Sequence, residues 1–343
     1  MFENSTKTSL DSFGEFNLIK KLTENYVSKK PNLILGIGDD AALVKPNPDK
    51  LQVYSTNFMV ENINFDIAYT PLKHLGYKAV VASISDIYAM NATPKFIMVS
   101  IAMSSKYTLE ALEELYEGIY AACEKYEVDL IGGDTNTSPQ GLSLSLTACG
   151  EVDENKYVTR AGCKMNDLLC VSGDLGGAYL GHQLLEREKR VFVANPEMQP
   201  DLEGYDYIVG RQLKPEARKD VVELLDSLNI IPTSMIDISN GLASELKHLA
   251  IKSNVGFSIF EEKLPVDTQT LQLASEFHLD ATMCALNGGE DYELLFTIGQ
   301  SDFEKIKSNM DITIIGYATD QANICQLITP SGSQFDIKAQ GWN

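Results

Sequence analysis

What most constrains this chain is an alternation of apolar, strand-like runs with helical stretches that a polar segment interrupts near the middle. Upstream, HLGYKAVVASISDIYAM follows Pro71, a residue suited to the first turn of a helix. KFIMVSIAM (95–103) reads as a buried strand, and LEALEELYEGIYAACEKY (109–126) carries Leu109, Leu112, Leu115, Ile119 and Tyr126 at helical spacing. VDLIGG (128–133) is strand-like, and LSLSLT (142–147) alternates leucine with hydroxyl residues as a half-buried strand does. The polar EVDENKYVTR (151–160) then breaks the pattern. Beyond it come a strand LLCVSG (168–173), a glycine-bearing turn, a helix AYLGHQLLEREK, an irregular stretch over 192–214, helices over 215–229 and 240–252, and strands DYELLFTI (291–298) and ITIIGYA (312–318). Ahead of it all, a helix is expected from Glu15 to about Lys29, then short strands ILGIG (34–38) and LQVYST (51–56). The prediction is two successive α/β domains with mixed sheets, 1–150 and 151–343.

Charge narrows the function. The 343 residues include 48 acidic and 28 basic ones, a formal charge of −20. Such a surface repels nucleic acid and anionic membranes, so neither is an expected partner. It also repels phosphate ligands, so nucleotide handling here calls for divalent metal held by carboxylates. For most of the acids solubility is role enough. No apolar run approaches the roughly 18 residues of a membrane span, and the first residues lack the pattern of a signal peptide. Six cysteines without CxxC pairing read as reduced thiols of a cytoplasmic protein.

The acids are placed unusually. Asp39 and Asp40 end the strand ILGIG, Asp86 sits in the apolar SISDIYAM, Asp134 follows VDLIGG, and Asp237 lies inside SMIDIS. A carboxylate in apolar surroundings is costly unless paired, hydrogen-bonded or metal-bound. Each alone has a bland explanation as a cap or turn residue; several together favour a shared Mg²⁺ site that bridges to phosphates. IGGDT (131–135) and SGDLGGAYLG (172–181) follow apolar strands and offer backbone N–H groups to phosphate, but neither is a GxxxxGK[ST] loop, and a tight strand-to-helix turn is the better reading of the second. In NGGEDYELLF (287–296), Glu290 and Asp291 stand at the mouth of a strand with Glu293 on the same face as Asp291, open to substrate contact, metal contact or solvation. The four histidines show no metal spacing or triad signature.

Five ordered motifs, GIGDDAA (36–42), SISDIYAM (83–90), IGGDT (131–135), IDISNGL (236–242) and GGEDYELLF (288–296), resemble the thiamine-monophosphate kinase family, within the aminoimidazole-ribonucleotide synthetase-like superfamily. The likeness runs from GEFNLI (14–19) to QGWN (340–343). It implies a homodimer whose N-terminal α/β domains, binding ATP and Mg²⁺, join strands into a barrel, with a C-terminal α/β domain folding over and ATP and substrate meeting in the cleft. It implies transfer of the ATP γ-phosphoryl group to thiamine monophosphate with several Mg²⁺ ions, Asp40, Asp86, Asp134 and Asp237 being the catalytic acids. Metal positions are Asp40, Ser55, Thr56, Asp86, Asp134 and Asp237, with Asn57 and Asn240 at two more. Nucleotide positions are Gly133, Asp134, Arg160, Ser239 and Tyr116, the last equally a residue of its helix's apolar stripe. Substrate positions are Asn64, Glu290 and Trp342.

Some residues depart from the family pattern. In STNFMVENINF (55–65), Asn57 stands for a metal-binding aspartate, Asn62 for a glycine and Asn64 for a substrate-side histidine; Asn240 stands for another metal-binding aspartate. An asparagine offers Mg²⁺ a carbonyl oxygen without the charge. A weakened nucleotide- or thiamine-phosphate-binding homologue is therefore the alternative. So is another ATP-using superfamily member, although the reactive cysteines of selenophosphate synthetase and of the hydrogenase maturation protein are missing.

Overall fold

The computed structural model describes Leu18 and residues 21–35 and 42–339. These form two compact units, one running up to Ile87 and resuming over Thr93–Glu154, the other made of Tyr88–Ala92 and the chain from Asn155 onward. Both are α/β with mixed sheets, as the alternation predicts.

The first unit has a short antiparallel pair, β1 (Leu33–Leu35) and β2 (Leu43–Val44), and a four-stranded sheet of β3 (Lys50–Val60), β4 (Thr93–Met103), β5 (Asp129–Thr137) and β6 (Leu142–Asp153). Its order is β3–β6–β4–β5, with only β4 and β5 parallel. Leu142, Leu144 and Leu146 of β6 and Ile97, Val99 and Ile101 of β4 share an inner face, each at most 2% exposed. Helix α1 (Leu72–Ala89) lies on that face, its Ile87 side chain against the Gly150 backbone. It meets α2 (Leu109–Tyr126) where two glycines let the backbones touch: a Cβ on Gly76 would lie 2.0 Å from the Leu115 carbonyl oxygen, and one on Gly118 1.8 Å from that of Lys73. The helix expected to reach Lys29 ends earlier, since only Leu18 and 21–23 are helical among the residues described there. Tertiary bonds account for this. Asp129 accepts the backbone N–H groups of Lys29 and Lys30, both at 2.7 Å, and the Tyr26 hydroxyl accepts that of Leu130, which pins the segment to β5.

The second unit holds β7 (Leu168–Ser172), β8 (Ser234–Asp237), β9 (Gly256–Phe260), β10 (Leu294–Ile298), β11 (Ile312–Thr319), β12 (Cys325–Ile328) and β13 (Gln334–Asp336), ordered β13–β12–β9–β11–β7–β10–β8. Its helices include α3 (Gly177–Ala194), α4 (Asp206–Leu213), α5 (Lys219–Ser227), α6 (Leu242–Ser253), α7 (Thr268–Glu276) and α8 (Ala281–Asn287). Both faces of the sheet are covered. Leu169 and Val171 of β7 pack with Leu242, Leu246 and Leu249 of α6, while Cys170 packs with Val221 and Leu225 of α5. Double coverage is why these strands read as unbroken apolar runs rather than alternating ones.

Three expectations are corrected. The stretch 192–214 is not wholly irregular, because α4 occupies its end; Gly210 hides a helix whose Ile208 and Leu213 are buried. Glu151–Asp153 of the polar interruption belong to β6. The strand expected from Asp291 begins at Leu294, since Tyr292 has a φ of 53°, incompatible with a strand. All six cysteines are free, five of them buried, and among the described residues no helix is long and apolar enough to cross a membrane.

Candidate active site

In the first unit the site grows from α1. Every residue from Leu75 to Ala89 is buried except Asp86, which is half-buried. A helix apolar on all sides belongs in a core, and its one acid is turned toward β3, where the Ser55 hydroxyl donates to the Asp86 carboxylate. Strand alternation puts Asn57 on the face of Ser55 and sends Thr56 to the other, where its hydroxyl lies 3.4 Å from that of Thr147. Asp134, exposed on β5, is paired with Ser100 on that outer face. Gly133, paired with Val99, allows a close backbone approach, for a Cβ there would lie 1.9 Å from the Val99 carbonyl oxygen. The structure thus groups Ser55, Asn57 and Asp86 on the inner face, with Thr56 and Asp134 on the outer one.

Two of the asparagine departures have a local explanation. Asn62 has a φ of 64°, a left-handed position that glycine fills freely and asparagine tolerates best among other residues. Asn64 is exposed, and its side-chain carbonyl accepts the Val60 N–H at 2.9 Å, closing the turn after β3. Tyr116 is buried on α2, edge-on to Tyr120 with ring centroids 5.9 Å apart, and burial pushes its hydroxyl up to about 12.

In the second unit the site is a pair of interlocked turns. Asp237, 3% exposed, ends β8; half-buried Ser239 and exposed Asn240 follow, and Gly241 opens α6. The Asn240 N–H donates to the carboxylate of buried Glu245 at 3.0 Å. The GGED segment lies against this turn. The Glu290 N–H donates to the Ser239 carbonyl at 2.8 Å, the Tyr292 N–H to that of Ile238 at 2.9 Å, and the Ile238 N–H to that of Glu293 at 2.7 Å. Gly289, Glu290 and Tyr292 are all left-handed, with φ of 74°, 59° and 53°. Such a conformation costs a non-glycine residue about 1–2 kcal/mol, so the surroundings must enforce it.

Asp291 and Glu293, flanking Tyr292, supply that enforcement. They are 0% and 1% exposed. Asp291 accepts the backbone N–H groups of Gly176 at 3.0 Å and Ala178 at 3.4 Å, and pairs with Arg211 at 3.6 Å. Glu293 accepts from Arg211 at 3.0 Å, Arg218 at 2.6 Å and the Ser172 hydroxyl at 2.5 Å. Burial pushes the Asp291 carboxyl up to about 7 against the pull of Arg211, and raises that of Glu293 against both arginines. Neither acid is solvated. The glycine-bearing turn at 172–177 is a strand-to-helix turn whose N–H groups at Gly176 and Ala178 are given to Asp291. Arg211, Arg218 and Ser172 went unread in sequence, Arg211 because it lies in the stretch taken as irregular.

Glu290 is half-buried, and its carboxylate accepts the Gln212 side-chain amide at 3.2 Å. A cavity of about 570 Å³ adjoins the same turn, lined by Tyr179, Leu279, Met283, Asn287, Gly288 and Lys338. Arg160 is exposed, its backbone carbonyl accepting from Ser253 at 3.1 Å. Asp39, Asp40 and Trp342 lie outside the described residues.

The family model of the AIR synthase related protein N-terminal domain matches residues 38–152. Thiamine-monophosphate kinase of Bacillus subtilis (strain 168) is 33% identical over 334 residues, covering 96% of this chain and 98% of its own. This chain belongs to the thiamine-monophosphate kinase family. Among solved members of the family, that of Stenotrophomonas maltophilia K279a superposes with a TM-score of 0.77 at 28% identity, covering 95% of this chain and 98% of its own. The structure of AaThiL complexed with AMPPCP and TMP gives 0.74 at 29% identity, covering 97% and 99%.

Proposed function

We propose that this chain transfers the γ-phosphoryl group of ATP to thiamine monophosphate, giving thiamine diphosphate and ADP. A phosphate oxygen of thiamine monophosphate forms the new bond to the γ-phosphorus. The bond from that phosphorus to the β,γ-bridging oxygen breaks, and ADP leaves with the electron pair. The observation that carries this reading is 33% identity across 98% of the Bacillus kinase. The AMPPCP and TMP held by AaThiL are the corresponding pair of ligands.

The residues present fit Mg²⁺. Asp86, Ser55 and Asn57 offer only hard oxygen donors, and Asp86 already meets the Ser55 hydroxyl. Among the described residues no three His, Cys, Asp or Glu side chains are grouped to hold a metal. Ser55, Asn57 and Asp86 would hold Mg²⁺, and the family motifs supply Asp40, Thr56 and Asp134 of the N-terminal part and Asp237 and Asn240 of the C-terminal part as positions for further ions. Bound there, Mg²⁺ neutralises phosphate charge, the main requirement of phosphoryl transfer. Gly133, Asp134, Tyr116, Arg160 and Ser239 serve the nucleotide, the exposed Arg160 as a cation for phosphate. Glu290, Asn64 and Trp342 serve the acceptor, and the cavity beside Gly288 is roomy enough for its rings.

The outer face of the first unit's sheet exposes Tyr54 and Phe58 by 68% and 62%. An aromatic sheet face open to water supports pairing with a second copy of this chain, and we read the protein as a homodimer with a shared barrel. Its six free cysteines suit the cytoplasm.

A coupled ADP-release assay with Mg-ATP and thiamine monophosphate, with the product identified as thiamine diphosphate and activity abolished by EDTA, is the test. Nucleotide binding by calorimetry without turnover would replace the kinase with a nucleotide-binding homologue.

A further inference from the structure

Glu290 is held from two directions, its backbone by the turn after β8 and its side chain by α4. Its backbone is fixed in the left-handed region between Gly289 and Tyr292, at φ of 74°, 59° and 53°. Its N–H is tied to Ser239 at 2.8 Å. Its carboxylate accepts from the Gln212 side chain at 3.2 Å. Gln212 is 6% exposed, and its neighbour Arg211 bonds Glu293 at 3.0 Å, Asp291 at 3.6 Å and the Asp174 carbonyl at 2.8 Å. Arg211 therefore fixes where α4 stands relative to the GGED turn. Gln212 uses that placement to aim one carboxylate. A helix that serves only to pack against α3 and α7 needs an apolar residue at a position this buried; an amide directed at a half-exposed acid is costly there unless the acid's orientation matters.

We propose that Gln212 is a positioning residue for the acceptor: its amide holds the Glu290 carboxylate in one rotamer, preset for thiamine monophosphate, while the Arg211–Glu293–Arg218 cluster fixes the distance over which it acts. The inference rests on Glu290 being an acceptor contact. A carboxylate free to rotate must be ordered when substrate arrives, so loss of the amide weakens acceptor binding and leaves the nucleotide untouched.

The test uses the full chain and reads dissociation constants by titration calorimetry, separately for thiamine monophosphate and for AMPPCP with Mg²⁺, with thermal denaturation alongside. Glu290→Gln is expected to weaken thiamine monophosphate about tenfold, the worth of one charge-assisted hydrogen bond. Gln212→Leu is expected to weaken it about fivefold, with AMPPCP affinity and the denaturation midpoint unchanged. The double variant should bind like Glu290→Gln alone, because Gln212 acts only through that carboxylate. If Glu290→Gln binds the acceptor normally, the role of Glu290 fails and the inference with it. If Glu290→Gln is impaired but Gln212→Leu is not, or if the two losses multiply, Glu290 keeps its role and the positioning by Gln212 is overturned. Equal weakening of both ligands by Gln212→Leu would mark a general structural effect and overturn it too. Arg211 is left intact because its loss strands two buried acids and threatens the fold.

Discussion

Asp86 in the first unit and Glu293 in the second are each set among apolar residues, yet the fold treats them in opposite ways. Glu293 is 1% exposed and receives two guanidinium groups, from α4 and from the start of α5, plus a serine hydroxyl. Asp86 is the one half-buried residue between Leu75 and Ala89 of its helix, and what β3 places beside it is the Ser55 hydroxyl, with Asn57 on the same face. An acid in an apolar run is therefore not a ligand by virtue of its setting. What sets Glu293 apart is the charge that other elements bring: two arginines make it an internal strut, whereas Asp86 shares its face of the sheet with the oxygen donors Ser55 and Asn57, the hard ligands that suit Mg²⁺.

That contrast predicts opposite phenotypes. Asp86→Asn should lower kcat/KM by about 10³, some 4 kcal/mol of transition-state stabilisation, and change the unfolding free energy read from urea denaturation by less than about 1 kcal/mol. Arg218→Met should do the reverse. By leaving Glu293 short of one cation it should cost about 3 kcal/mol of stability in urea denaturation, with the remaining folded fraction losing far less turnover than Asp86→Asn does. Should Asp86→Asn unfold the protein while Arg218→Met stays as stable as the parent, the distinction between ligand and strut is wrong.

Sequence reading caught one side of this contrast and missed the other, for identifiable reasons. The motif SISDIYAM pointed to Asp86 because its carboxylate breaks an apolar run, and periodicity located the helix that carries it. The mixed α/β character of the chain followed from the same alternation. Asp291 and Glu293 stood out equally, yet their partners did not: Arg211 and Arg218 lie about 80 residues earlier in sequence, and long-range charge pairing leaves no local pattern. The strand expected from Asp291 failed for the same reason. Left-handed Glu290 and Tyr292 are imposed by bonds to the Ile238–Ser239 turn and by the buried acids, none of them visible within a window of a few residues. Asp39, Asp40 and Trp342, read from their motifs, lie outside the described residues.

A smaller effect tests the strut itself. The Asp291 carboxyl is raised from its ordinary 3.8 to about 7, first by burial, with Arg211 opposing. The folded state thus holds this proton more tightly than the unfolded chain does, so the group's contribution to stability is full below about pH 4 and is lost as pH rises through 7. Asp291→Asn cannot titrate. Denaturation at pH 4.5 and 7.5 should show parent stability falling relative to the variant by about 3 kcal/mol over that window. A difference that stays constant would mean that Asp291 remains charged throughout, with Arg211 overcoming burial.

The smallest expected effect sharpens the ligand side. Asn57 shares the inner face with Asp86, whereas Asn240 is exposed and its N–H is already engaged by Glu245. Asn57→Asp adds a full charge on the sheet face that carries Asp86. Without metal the two repel; with metal both bind it, so the substitution should tighten apparent Mg²⁺ affinity about fivefold while changing the rate at saturating Mg²⁺ less than about threefold. Asn240→Asp, farther into solvent, should move either quantity by less than about twofold. Magnesium titrations of turnover separate the cases. A hundredfold gain in saturated rate from either aspartate would show that the asparagines had crippled the site, and that oxygen donors without charge are not enough. A modest change confined to Asn57 would instead show that Asp86 and neutral oxygens already suffice, which is what the pairing of that acid with Ser55 implies.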